Sequence, residues 1–169
     1  TVNGGSRMLD EVREAMADAN LHHLDLNGLN AAAGARIAEL LEAEAAMVTS
    51  GASGAIALAG GACVAGTDPE LMQAIPDLRA APRDEFIVDA NLPTGYDPAA
   101  RLCGAQRVEV STLDELKANL ARGRTAFILL MADRYDPSPT WLTLEQVAPL
   151  AVAGACACVR AVREWGRFG

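Results

Sequence analysis

Most of the side chains that would announce a function directly are scarce in this sequence. Two histidines stand side by side at His22 and His23, and none of the four cysteines (Cys63, Cys103, Cys156, Cys158) forms a C-x-x-C pair. The spacing of a zinc site is therefore missing, and the cysteines read as buried thiols of a reducing compartment. No run of 18 apolar residues occurs, and no basic segment leads into an apolar one. The expectation is a soluble, cytoplasmic chain with no membrane partner. Positive charge is also short: 14 Lys and Arg face 22 Asp and Glu, for a net charge of −8. That balance argues against a general binder of nucleic acid or anionic membrane. The dinucleotide fingerprint G-x-G-x-x-G and the P-loop G-x-x-x-x-G-K-[ST] are both absent. Hydrophobic residues nevertheless make up 51% of the 169, much of it alanine, while aromatics supply only 4%. This composition excludes a disordered chain and predicts one domain with closely packed helices and strands of small side chains.

What is present centres on Met47-Val48-Thr49-Ser50-Gly51-Ala52-Ser53-Gly54-Ala55-Ile56-Ala57-Leu58-Ala59. A short apolar run stops at a Ser/Gly turn and an Ala-rich helical run starts at once, which predicts strand, tight turn and helix N-terminus. Such a turn leaves backbone N–H groups unpaired at the positive end of a helix dipole, which suits a phosphate. The competing reading is an ordinary strand-to-helix corner. Gly51-Ala52-Ser53-Gly54-Ala55 resembles the nucleophile elbow G-x-S-x-G, but Ala55 replaces its final Gly and both histidines precede the serine, against the hydrolase order.

Ahead of this stretch, apolar positions Met8, Val12, Ala15, Met16 and Ala19 fall on one face of a helix from Met8 to Asn20. Leu29, Ala33, Ile37, Leu40, Leu41 and Ala45 mark a second helix from Leu29 to Ala46. His22, His23 and Asp25 lie between them, as an acid/base group or as a surface connector. Beyond the turn, a helix over Ser53–Ala65 is apolar all round and is expected to be buried. Asp68-Pro69 caps and opens a short helix to Ala74. Strands are predicted at Glu85–Asp89, Arg107–Val110, Thr125–Met131 and Ala155–Val162. Helices over Tyr96–Leu102, from a capping box at Thr112–Glu115, and from Thr143 to Val152 separate them. Asp89 and Asp97, at a strand end and a turn, are further candidate site groups. This alternation predicts an α/β fold with a mostly parallel sheet and helices on both faces. Ligands of such sheets sit beyond the strand carboxyl ends. The expected divisions are an N-terminal helical segment (1–46), an α/β domain (47–162) and a tail (163–169).

The order of several segments resembles one family. Gly4-Gly5-Ser6-Arg7-Met8, His23-Leu24-Asp25, Ala43 to Ala52, Ala65-Gly66-Thr67-Asp68-Pro69, Gly95-Tyr96-Asp97 and Gly104 to Val110 follow one another as in the selenocysteine synthase-like group of pyridoxal-phosphate enzymes of fold type I. That group includes L-seryl-tRNA(Sec) selenium transferase and D-glucosaminate-6-phosphate ammonia-lyase. The resemblance covers roughly residues 3 to 152. It implies a partial three-layer large domain, with Ser50, Gly51, Ala52 and Ser53 holding the phosphate of pyridoxal phosphate. It also implies β-elimination or β-replacement through a lysine Schiff base, and a homodimer. An amino acid or amino-sugar acid fits an acidic chain better than a charged tRNA does.

The chain also departs from that pattern. Its only lysine, Lys117, lies on the helix after the Thr112 capping box, where a solvated role is expected. Leu92 and Pro93 stand where the resemblance places a ring-stacking histidine, and Ala161 where it places the acid that holds the pyridine nitrogen. The C-terminal run reads as out of register with the family, through truncation or a change of frame. The expectation is a cofactor-binding half that is inactive alone. The alternative is a non-catalytic α/β module that binds a phosphate-bearing ligand at the Ser50–Ser53 turn.

Overall fold

Phe86, Ile87 and Val88, like the run from Ala126 to Leu130, leave no polar position to face water, as required of strands covered on both sides. A computed structural model of the chain describes residues 7–92, 95–133, 142–154 and 156–163. In it β1 (Glu85–Asp89), β2 (Gln106–Val110), β3 (Thr125–Asp133) and β4 (Ala157–Arg163) form one sheet in the order β2-β1-β3-β4. Every neighbouring pair is parallel, and all five residues of β1 are buried. The chain falls into two compact units, 1–48 and 49–169.

In the larger unit, the two sheet faces carry different cores. On one side Phe86, Val88, Phe127 and Leu129 pack with Ile56 and Val64 of α3 (Ala52–Ala65) and with Ala99 and Ala100 of α5 (Asp97–Arg101). The rings of Phe86 and Phe127, which are partners in the ladder, stack at 5.2 Å. On the other side Ile87, Ile128 and Leu130 pack with Leu116 of α6 (Leu113–Ala121) and with Val147 and Ala151 of α7 (Leu144–Ala153). Helices on both faces of a parallel sheet make this a partial three-layer α/β domain, as the sequence predicts. A short helix, α4 (Pro69–Ala74), is capped by Asp68, whose side chain accepts from the N–H groups of Glu70 and Leu71. Thr143 and Gln146 form a full capping box on α7. At α6 the box is shifted. Thr112 accepts from the Glu115 N–H, but the Glu115 carboxylate reaches back to the N–H of Ser111 instead.

The smaller unit holds α1 (Asp10–Ala19) and α2 (Leu26–Leu41). None of the residues of α1 is buried, and α2 buries only Gly34 and Ala38. Asp25 is used as the cap of α2, accepting from the Asn27 N–H at 3.0 Å, while His22 stands 4.0 Å from Asp18 on an exposed surface. The acid/base reading of that connector is not what the structure builds. Helix α2 stops five residues before the expected Ala46, because Glu42 adopts a left-handed conformation (φ 52°) and turns the chain back. The returning segment passes so close that a side-chain carbon on Gly34 would lie 2.2 Å from the Ala46 carbonyl oxygen.

The predicted strand at Met47–Thr49 does not form. A strand needs a ladder, and among the described residues no strand pairs with this one. A side chain takes the place of the ladder: Asn30 donates from Nδ2 to the Val48 carbonyl at 3.1 Å and accepts the Val48 N–H at 3.4 Å. The other differences are smaller. Helix α3 is not covered all round, since Leu58 is 55% exposed. Strand β4 begins two residues later than expected, and residues 164–169 of the expected tail lie outside the described residues.

Candidate functional site

Helix α3 opens directly from the Ser50–Ser53 turn, and close contacts locate its middle over the sheet. A side-chain carbon on Gly61 would sit 3.6 Å from Ile75, and one on Gly104, just before β2, would collide with the carbonyl of Pro76. One on Gly60 would meet Phe127, near the start of β3, at 3.2 Å. The second half of α3 thus lies over the strand beginnings.

At the N-terminus of α3 Gly51 is the N-cap, with φ +144° and no side chain to offer. The first intrahelical bond runs from the Ala55 N–H to the Gly51 carbonyl at 3.0 Å. Helix geometry leaves the N–H groups of Ala52, Ser53 and Gly54 without an intrahelical acceptor. No side chain caps them, whereas Asp25, Asp68, Thr112 and Thr143 each cap their own helix. Ser50, Gly51, Ala52 and Ser53 are all exposed. The Ser50 hydroxyl lies over the first turn, in space that a side-chain carbon on Gly54 would approach to 3.0 Å. Thr49 is committed elsewhere, donating from Oγ1 to the Gly51 carbonyl at 3.1 Å. The result is an open cluster of donors at the positive end of a 14-residue helix, which is what a phosphate monoester needs.

Two acidic candidates from the sequence already have partners, although the Oδ1 of Asp97 is buried without a hydrogen bond. Asp89, the last residue of β1, accepts the N–H groups of Asn91 and Leu142, each at 2.8 Å. Asp97 pairs with Arg107, which also pairs with Glu109. The Arg107 pairing was not apparent in the sequence, where residues 97 and 107 are separated by a helix and a turn. Lys117 is exposed and pairs with Asp114 at 3.2 Å, on a helix packed against the opposite face of the sheet from α3. The turn and the lysine are not brought together. Leu92 is half-buried after β1; Pro93 lies outside the described residues. Ala161 is opposite Met131 in the β3–β4 ladder, so no acid stands at that register position.

No family model matches the chain. Its structure is similar to that of D-glucosaminate-6-phosphate ammonia-lyase, with a TM-score of 0.85 and 23% identity over 94% of this chain and 45% of that one. It has the fold of a fold type I pyridoxal-phosphate enzyme. In sequence the chain is 33% identical, over 139 residues, to 5'-C-glycyluridine monooxygenase-decarboxylase from a Streptomyces species, matching 78% of this chain and 35% of that protein. The pyridoxal-5'-phosphate-dependent protein YhfS from Escherichia coli aligns over 64% of this chain and 26% of that one. Its TM-score is 0.42 and its identity 17%. The chain spans between a third and a half of the length of the first two.

Against pyridoxal phosphate, the cofactor of fold type I enzymes, the residues present fit one end. The Ser50–Ser53 turn has exposed donors of the kind that a phosphate would need. The pyridine end would need an acid and a stacking ring, and neither Leu92 nor Ala161 supplies one.

Proposed function

We propose that this chain carries the cofactor-phosphate half of a pyridoxal-phosphate-dependent lyase or transferase acting on a sugar-derived α-amino acid. The observation that carries the reading is the uncapped N-terminus of α3, with Ser50 and Ser53 beside it, in a parallel α/β sheet of this fold. Pyridoxal phosphate, when bound, supplies an electron sink for charge that develops at a substrate Cα. The backbone N–H groups of Ala52, Ser53 and Gly54 and the hydroxyls of Ser50 and Ser53 would bind and orient its phosphate. They would move no proton. The substrate class is supported by the names of the two relatives, one an enzyme of an amino-sugar acid phosphate and the other of a glycyl-bearing nucleoside. Both compounds join an amino-acid group to a polyhydroxylated carbon skeleton. With a net charge of −8, a small molecule is a better partner than tRNA. The reading includes a cytoplasmic homodimer.

Lys117 faces away from the turn, so this chain alone is expected to bind the cofactor without turnover. That same placement supports the second reading, a non-catalytic α/β module that holds a phosphate-bearing ligand at the same turn. Titration with pyridoxal phosphate, followed by visible absorbance and by competition with inorganic phosphate, separates the two. We expect saturable binding that phosphate competes away and that weakens about tenfold or more in the S50A/S53A double variant. Binding unaffected by that variant would remove the turn from the site. Binding of phosphate without pyridoxal phosphate would favour the module. Borohydride reduction and peptide mapping then ask about Lys117, where a cofactor adduct would overturn its assignment to the solvated face.

A further inference from the structure

The carboxyl ends of β1 and β2 carry a construction that the phosphate turn does not use. Asp89 is only 6% exposed. Its Oδ1 accepts the Asn91 N–H and its Oδ2 the Leu142 N–H, 53 residues away in the chain. Asn91 in turn donates from Nδ2 to the Ser111 carbonyl at 3.3 Å, just past β2, and the Ala90 N–H donates to the Val110 carbonyl at 2.9 Å. Leu142 packs into the α6–α7 core and directly precedes Thr143, whose capping box opens α7. A carboxylate is costly to bury unless its oxygens are hydrogen-bonded, and here each oxygen takes a backbone N–H. The carboxylate also stands close to the N-terminus of α7, where the helix dipole favours negative charge. A group committed in this way holds backbone in place.

We propose that Asp89 is a positioning residue of the cofactor site. It ties the turn 90–92 and the entry to α7 to the ends of β1 and β2, at the strand carboxyl ends where ligands of such sheets bind. The proposal rests on the reading of those ends as the cofactor site. The sequence places Asp89 at a strand end, but the partner that defines its role comes from the far side of β3.

Amide hydrogen exchange on the wild-type chain, D89N and D89E tests it, with pyridoxal phosphate and inorganic phosphate as probes. In the wild type the Asn91 and Leu142 amides should be protected. An asparagine can serve only one of the two N–H groups, so in D89N one amide should exchange about tenfold faster or more, while Phe127–Leu130 keep their protection. Pyridoxal phosphate should bind D89N several-fold more weakly, and inorganic phosphate as tightly as before, because the phosphate donors lie at Ser50–Ser53. D89E keeps the charge and should recover part of the loss. Loop-like exchange at Leu142 in the wild type overturns the proposal without any variant, which covers the case in which D89N does not fold. Unchanged pyridoxal-phosphate affinity in D89N and D89E overturns the positioning role alone. A wild type that binds neither probe overturns the cofactor reading, and the positioning role with it.

Discussion

At the scale of single residues, burial decides which groups are chemically available. The Cys63 thiol is pushed up to about 11 by burial, with smaller contributions from Cys103 and Cys156, and burial raises the thiols of Cys103 and Cys156 as well. The thiolate is the reactive form, so these cysteines are poor nucleophiles near neutral pH. Iodoacetamide labelling of the native chain should be slow at Cys63 and become fast on denaturation. The sign of the pH effect follows from the same shift. The folded state holds the Cys63 proton more tightly than the unfolded state, whose value is near 9.0. This contribution to stability is therefore complete below pH 9 and is lost as pH rises through 9 toward 11. Denaturant titrations at pH 8 and pH 10.5 check it, and a C63A chain should lose that part of the difference. Gly104 is set by backbone instead of charge: its φ is +89°, and a side-chain carbon there would lie 2.0 Å from the Pro76 carbonyl oxygen. Gly104→Ala should destabilise the larger unit by about 2 kcal/mol or more, read as a lower denaturation midpoint.

Among the elements, those with continuous or periodic apolar patterns were legible in advance. Strands β1 and β3 are buried on both faces, so their sequence has no alternation to confuse, and the caps at Asp68 and Thr143 are local chemistry within four residues. The strand expected at Met47–Thr49 could not be judged that way, because an apolar run carries no information about whether a ladder partner exists. The substitute, Asn30, lies 18 residues upstream on a helix where it looks like an ordinary polar residue. Removing it tests this account. In Asn30→Ala both bonds to Val48 vanish, and the Val48 amide should lose protection by about fivefold or more while β1 and β3 keep theirs. Unchanged exchange at Val48 would mean that the segment is held by something else. The turn and helix start at Gly51–Ala52 were legible because small residues and a helical run are contiguous there. The roles of Asp89 and Arg107 were not, since each depends on a partner that only the folded sheet brings near.

For the molecule as a whole, one source of acid sensitivity lies at the strand beginnings. Asp84 accepts two hydrogen bonds from Arg124, at 3.0 and 2.6 Å, and these hold its carboxyl below the usual carboxylate range. The buried Glu85 beside it pairs with both Arg122 and Arg124. A carboxyl whose folded value is depressed contributes stability that is present above its unfolded value, near 3.8, and is lost as pH falls through the folded one. Far-UV circular dichroism on acid titration should show R124Q unfolding at a higher pH than the wild type. An identical midpoint would show that the pair contributes nothing to acid resistance.

The strand order β2-β1-β3-β4 has a consequence for how the chain assembles as it is made. Strand β1 is the first to leave the ribosome and ends up inside the sheet. Each later strand then finds an edge already waiting: β2 takes one side of β1, β3 the other, and β4 the far side of β3. None of these four strands has to wedge itself between two that are already joined, and none of their pairings has to be undone. Parallel ladders are slow to close because each needs a crossover, so a growth order free of insertion spares this sheet the rearrangements in which such chains become trapped.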